Sequence, residues 1–424
     1  MRRIIFKNWL PLFIAVEIAV SMACAAEIPS NQATIERHTE IPPLSTPDGF
    51  TLAAVGDLIY PRPMLPRLMA SAPHLVDLLQ SATVTFGNFE ANALDLATFE
   101  GYPAADSGGA WILASQEVPS DLKSMGFDLV ALANNHTMDW GSEGVFETQR
   151  VLTQAGLVHA GSGATLSAAR APRYLEIAEG RIALVAAAST FPYSSRAADP
   201  LGEIRGRPGV SALRRDRKDG KMHPQDRDQI IKAIRQAKQN SNFVVVSLHN
   251  HESNGKRRDV PAEFAIEFAH EAIESGADAV IGHGPHVLRG IEIYQGKPIF
   301  YSLGNFFFML QALEPIPLDL YENYQTDPES MTASEFMNRR NYRIHDAAGN
   351  YDSVLAVSRY AGGEVKEIRL YPVELAESTV SVDRGVPRLA SPERGRKILE
   401  GLRSLSKPFG TDVQITDNMG VVTQ

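Results

Sequence analysis

Short apolar, β-branched runs recur along the chain and alternate with segments whose apolar residues return every three or four positions. The runs 51–55 (TLAAV), 83–86 (TVTF), 128–133 (DLVALA), 181–187 (RIALVAA), 243–248 (FVVVSL), 278–281 (DAVI) and 298–302 (PIFYS) read as strands. Several are apolar throughout rather than alternating, the mark of strands covered on both faces. Between them, residues 262–275 place Phe264, Ala265, Phe268, Ala269, Ala272 and Ile273 on one helical face, and Gly276 ends the helix. Residues 226–239 do the same with Ile230, Ile231, Ile234 and Ala237. Residues 353–375 predict a hairpin turning at Gly362-Gly363, and 392–405 a last helix presenting Ile398, Leu399, Leu402 and Leu405. Strands alternating with helices predict an α/β domain with largely parallel strands. Two stretches break the alternation. Residues 196–227 are polar and rich in Arg and Lys, and residues 311–352 are long and low in β-branched residues. Stretches of that length without clear structure read as insertions, lids or binding loops.

The first fifty residues follow a different pattern. Arg2, Arg3 and Lys7 precede an apolar run from Trp9 to Ala23, broken by Glu17, and small residues close residues 1–26. That is the layout of a secretory signal, and the run is short for a spanning helix. Cleavage after Ala23 leaves Cys24 first, so lipidation of Cys24 is one alternative and an uncleaved N-terminal anchor another. All three readings expect an exported protein of the periplasm or cell envelope, and the two anchored ones expect membrane association through the N-terminus. Residues 27–48, with Pro29, Pro42, Pro43 and Pro47, are expected to form an extended tether, and folded sequence to begin near Gly49. The domain is expected to span 49–375, with 376–424 as a C-terminal extension packed on it. Composition then narrows the function. The 424 residues include 41 Lys or Arg and 50 Asp or Glu, a formal charge of −9. Cleavage before Cys24 removes three basic residues and one acidic, taking −9 to −11. Such a chain has no basic field for nucleic acid. Its single cysteine excludes an internal disulfide framework and a cysteine zinc site.

The residues able to do chemistry sit just after the strands. Asp57 follows TLAAVG, and Asn88 and Glu90 follow TVTFG. Asn134, Asn135 and His136 follow DLVALA, with Asp139 three residues on. His249, His251 and Glu252 follow FVVVSL, His283 and His286 follow DAVIG, and Asn305 follows PIFYSLG. Loops at the carboxyl ends of parallel strands meet in one crevice, so six loops are expected to bring carboxylates, amides and imidazoles together. That mixture suits a divalent metal of borderline hardness, Mn²⁺, Zn²⁺ or Fe²⁺, rather than a Mg²⁺ or Ca²⁺ cage. His249 and His251 are two apart and would face one side of an extended strand. Two glycines and a proline shape the turn of Gly282-His283-Gly284-Pro285-His286 around two imidazoles. No Gly-x-Ser-x-Gly elbow, Walker loop or dinucleotide fingerprint appears. Arg205, Arg207 and the run Lys256-Arg257-Arg258 are candidates to hold an anion, with a solvated loop as the alternative reading.

Taken in order, GDLIYPRP, FGNFE, ALANNHTMDWG, VVVSLHNHES, IGHGPHVLRG and GKPIFYSLGNFFF resemble the CapA family, from about Thr51 to Val373. That family is named for poly-γ-glutamate capsule synthesis and belongs to the calcineurin-like metallophosphatase superfamily. The resemblance implies a four-layer α/β/β/α sandwich with one or two divalent ions at one edge of the sheets. It implies Asp57 as the first-loop ligand at the catalytic centre and Glu90 as the second-loop ligand. Asn135 matches a metal-binding Asn, and His136 a catalytic acid or hydrogen-bond donor. Either His249 or His251 matches a lone His ligand, and His283 and His286 match the last loop. Asn88, Asn305, Arg205, Arg207, Lys256 and Arg257 are then the candidate substrate contacts. Two departures stand out. Leu58 and Ile59 follow Asp57 where the superfamily has Asp-x-His, and Asn88-Phe89-Glu90 replaces Gly-Asp. A two-metal phosphatase site is therefore not assumed. The implied function is metal-dependent hydrolysis of an amide or phosphoester in an anionic envelope polymer such as poly-γ-glutamate, beside capsule synthesis machinery. The alternatives are a non-catalytic component that binds and guides the polymer, and a metallophosphodiesterase of unrelated substrate.

Overall fold

Strand burial follows a period of two on both sides of two stacked sheets. In the strand Thr51–Ile59, Leu52 and Ala54 enter one apolar cluster while Ala53 and Val55 enter another. In Phe243–His249, Phe243 and Val245 share the first of these clusters, and Val244, Val246 and Leu248 enter a third. Successive side chains point to opposite faces, so each strand is covered twice and its run is continuously apolar.

The computed structural model describes residues 44–216, 219–345, 349–377 and 382–424, without the side chains of 342–345. The expected signal segment, residues 1–26, and residues 27–43 of the expected tether lie outside them. The described residues form one compact unit. The larger sheet runs in the order Gln414–Thr416, Met419–Thr423, Glu364–Leu375, Asp352–Ala361, Thr51–Ile59, Val84–Phe89, Leu129–Ala131 and Val158–Ala160. Asn305–Phe308 also pairs, in parallel, with Thr51–Ile59. The second sheet orders Ile291–Tyr294, Lys297–Phe300, Ala279–His283, Phe243–His249, Gly180–Ala188 and Arg173–Ile177, its four central strands parallel. The central cluster between the sheets joins Leu52, Phe86 and Leu129 to Leu184, Val245 and Ile281. Phe50, just before Thr51–Ile59, and Tyr360 both meet Phe243 of the other sheet, with ring centroids at 4.6 and 4.8 Å. Deleting the Phe243 ring would cost about 3–5 kcal/mol.

Helices cover the outer faces. Leu68, Leu75, Leu79, Leu122 and Leu152 pack on the larger sheet, and Ile230, Ile234, Phe264 and Phe268 on the other. The architecture is thus α/β/β/α. The helix Pro392–Ser406 starts with Ser391 accepting from Arg394 N–H and Pro392 at its first position, both favourable there. It closes the space between the sheets with Ile398, Leu399 and Leu402.

Three expectations are corrected. Folded sequence begins before Gly49, because Thr46 is buried and Asn242 donates to Ser45 O at 3.1 Å. Residues 311–352 are not structureless: they hold helices Leu318–Asn323 and Ala333–His345, whose Leu320, Tyr321, Phe336 and Met337 join the outer core. Thr332 and Glu335 cap the second helix reciprocally, a T-x-x-E signal readable in the sequence. Residues 414–423 add two strands to the sheet edge where only an extension was expected.

Candidate metal centre

Each sheet delivers side chains in register. In the larger sheet Asp57 lies beside Asn305 on one neighbour and Asn88 on the other. In the second sheet His249 lies beside His283. Gly56 makes the first pairing possible: a Cβ there would fall 1.9 Å from Gly304 O, which instead accepts Asp57 N–H at 3.1 Å. The two groups face each other across the stacked sheets at the carboxyl ends of their strands.

Asn88 stands at the centre. Its Nδ2 donates to Asp57 Oδ1 at 2.8 Å and to Glu90 Oε2 at 3.4 Å, and lies 3.3 Å from His249 Nδ1. His249 Nε2 is 3.0 Å from His251 Nε2, and His249 Nδ1 is 3.4 Å from His283 Nδ1. His286 Nδ1 reaches Asn305 Oδ1 at 2.8 Å and Asp57 Oδ2 at 3.3 Å, from a residue at φ 57°. A left-handed backbone is uncommon outside glycine and clusters at functional sites. Asp57, His249 and His283 offer donor atoms within 4.8 Å of one another, and so do Glu90, His251 and His286. The two histidines of the 249–251 pair thus fall into different triads, and His251 supplies an imidazole in a site whose first loop has none.

The electrostatics suit cation ligands. Burial alone raises the Asp57 carboxyl, but the His286 hydrogen bond and the surrounding imidazoles outweigh it and hold it below the usual range. Burial, and then the Asp57 charge, push Glu90 well above it. Burial lowers His249 far below its ordinary value, His251 to about 3 and His283 to about 4. Neutral imidazoles keep a lone pair for a metal. Ser247 Oγ sits 2.8 Å from His283 Nε2, which leaves Nδ1 facing the cluster. Glu90 Oε1 and Asn135 Oδ1 are buried with no hydrogen-bond partner among the described residues, as expected of ligand oxygens aimed at a cation. The residues therefore fit a divalent ion.

His136 lies beside the triads. Its Nδ1 is 2.6 Å from Asp139 Oδ2, which also accepts Ile112 N–H, and its Nε2 is 3.9 Å from Glu90 Oε1. Burial raises the Asp139 carboxyl although His136 pulls it down. Asn134 acts as a bracket, its amide donating to Phe89 O and Asn88 Oδ1 while its Oδ1 accepts His136 N–H. Asn134 was named from the sequence without a role, and Ser247 was not singled out, because a side chain that orients another has no motif of its own. Arg289 was missed for the same reason: fully buried, it donates to the carbonyls of Glu252 and Arg258 and so ties down the loop after His251.

The basic candidates are not brought to the cluster. Arg205 and Arg207 are exposed on a small hairpin, and Arg207 Nε donates to Arg196 O. Lys256 is exposed, and Arg257 pairs with Asp259 at 2.7 Å. Local charge showed where cations are, but not that neighbouring carbonyls and carboxylates engage them.

Comparison with known proteins places the chain in a family. The family model described as bacterial capsule synthesis protein PGA_cap matches residues 51–309, which include every residue of the two triads. An uncharacterized protein of Sinorhizobium fredii, y4sH, is 39% identical over 88% of this chain and 93% of its own length. The capsule biosynthesis protein CapA of Bacillus anthracis is 26% identical over 72% of this chain and 74% of its own. A probable polyglutamine synthesis accessory protein of Mycobacterium tuberculosis is 35% identical over 41% of this chain and 43% of its own. On the matched residues and these relatives, the chain belongs to the bacterial capsule synthesis protein family PGA_cap, the CapA family.

Proposed function

We propose that this protein is an exported, metal-dependent hydrolase of the cell envelope, acting on an amide or phosphoester of an anionic polymer of the poly-γ-glutamate kind. The two triads carry the reading: each combines a carboxylate with two imidazoles. Asp57, His249 and His283 would hold one divalent ion, and Glu90, His251 and His286 a second, with Asn135 Oδ1 as a further oxygen. Carboxylate with imidazole favours Mn²⁺, Zn²⁺ or Fe²⁺. A bound ion of this class supplies Lewis-acid polarisation and activation of water.

The chain's own residues do the rest. Asp139 holds His136 through Nδ1, so Nε2 faces the cluster and is placed to hand a proton to a leaving group. Asn88 and Asn134 fix the spacing of Asp57, Glu90 and His136 through their amides. The N-terminal basic and apolar pattern supports export, and the names of the relatives support the capsule setting.

The test is metal analysis of purified protein followed by phosphodiester and γ-glutamyl amide substrates. Bound transition metal and turnover are expected, with His249→Ala and His283→Ala abolishing turnover and His136→Ala lowering kcat while metal stays bound. Protein that holds no stoichiometric transition metal and gains no thermal stability from Mn²⁺ or Zn²⁺ overturns the proposal.

A further inference from the structure

A cavity of about 370 Å³ opens between the loop after His286, which leaves the candidate metal centre, and the helix Pro392–Ser406. That volume lies in the range of small-molecule sites. Its floor is aliphatic: Val287, Leu288, Ile398, Leu402 and Leu405. It is tied to the centre through the chain and through hydrogen bonds. Val287 directly follows His286, and Arg258 on the rim donates to Asn350 Oδ1. Asn350 O in turn accepts from Asn305 Nδ2, and Asn305 Oδ1 meets His286 Nδ1.

The charges around the rim are unequal. Asp259 is neutralised by Arg257 at 2.7 Å and Asp352 by Arg394 at 2.6 Å. Lys397 is held by Glu393, one helical turn away. Arg258 donates to a neutral amide and has no carboxylate ion pair among the described residues. The pocket therefore presents one uncompensated cation above an aliphatic floor. Within the basic run 256–258, the residue that lines the cavity is Arg258, not Arg257.

Gly401 is the second observation. It lines the cavity from the interior of a helix, where glycine costs about 1 kcal/mol relative to alanine. Packing does not demand it, since a Cβ built there meets nothing within 4 Å. Its φ is not in the left-handed region either. Neither packing nor backbone requires this glycine, and the space in front of it is open enough to take a larger side chain.

We infer that this cavity is a binding subsite for a short aliphatic chain ending in a carboxylate, with Arg258 meeting the anion and Val287, Leu288 and Leu402 the methylenes. The assignment rests on the proposed function only for its role, which is to seat the portion of substrate next to the reacting group. Binding itself is tested without turnover. The probe is n-hexanoate, titrated by calorimetry into the full chain, with n-hexylammonium as the charge control. Saturable hexanoate binding is expected, and none by hexylammonium. Gly401→Leu fills the mouth with a good helix former and should weaken hexanoate at least about tenfold, the effect of roughly 1.4 kcal/mol. Gly401→Ala leaves the pocket open and should bind as wild type. Arg258→Gln should weaken hexanoate similarly while leaving melting temperature unchanged. His249→Ala, which disrupts the metal centre, should leave hexanoate binding intact, so failure of the hydrolase reading is separable from failure of the subsite. No saturable binding to wild type, equal binding of hexylammonium, or undiminished binding by Gly401→Leu overturns the inference.

Discussion

Glu90→Gln offers the sharpest test of the metal centre. Glu90 is fully buried, one of its oxygens has no hydrogen-bond partner among the described residues, and Asp57 shares Asn88 Nδ2 with it. Without an ion, this arrangement stores unfavourable energy. An unsatisfied buried polar group costs about 1–3 kcal/mol, and the neighbouring carboxylate adds repulsion. Unfolding entropy of about 2.1 cal/mol/K per residue gives about 0.8 kcal/mol/K for the roughly 380 residues from Leu44 onward. The amide keeps a polar atom there but removes the charge buried beside Asp57, which should raise the melting temperature of chelator-treated protein by about 1–4 °C. The same substitution removes a ligand charge. In wild type, metal at about 100 times its Kd stabilises by about 2.7 kcal/mol, or about 3 °C on this scale. In Glu90→Gln that gain should shrink or vanish. The assay is calorimetric melting of both proteins with and without Mn²⁺ or Zn²⁺. A variant that melts lower than wild type without metal, yet gains as much from metal, would refute the placement of Glu90 as a ligand oxygen held for a cation.

Three further outcomes follow from other parts of the structure. Ser247→Ala removes the hydrogen bond on His283 Nε2 and should weaken metal affinity by about 10–100-fold, measured by competition with a chelating dye, with little change in metal-free stability. Gly56→Ala should both destabilise the protein and abolish the metal-induced melting shift, because its Cβ would push Gly304, and with it Asn305, away from Asp57. Asp226 is buried between Arg170 and Arg214, at 2.6 Å from each; burial raises its carboxyl, but the two guanidinium partners bring it below the ordinary value. A lowered folded pKa contributes stability above the unfolded value of about 3.9 and loses it as pH falls through the folded one. Urea midpoints should therefore drop below about pH 4 in wild type, and Asp226→Asn should flatten that drop while costing about 3–5 kcal/mol at neutral pH by leaving Arg170 uncompensated.

Much of the fold was legible because burial on both faces leaves a local trace. The run FVVVSL became the strand Phe243–His249, and the helical face of 262–275 became the buried face of Glu263–Glu274. The C-terminal strands were not legible: Gln414–Thr416 is a short edge strand paired with Met419–Thr423, which in turn pairs with Glu364–Leu375, so both are stabilised by pairing rather than by their own composition. The helices of 311–352 were hidden because four apolar side chains docked on a distant core suffice to hold them.

The sequence by itself determined which residues could form the site. Strand, glycine and ligand-type residue recur in order, and each loop places its carboxylate, amide or imidazole at a strand's carboxyl end. It also determined that no cysteine takes part. Only the tertiary structure decided how these residues group. Asp57, Asn88 and Glu90 come from the larger sheet, and His249, His251, His283 and His286 from elements of the other. Their separation depends on the side chains between the sheets, such as Leu52, Phe86, Leu184 and Val245. Strand register then puts His249 beside His283 and sends His251 toward Glu90. Register and sheet spacing arise from contacts between residues far apart in the chain, which no local pattern encodes.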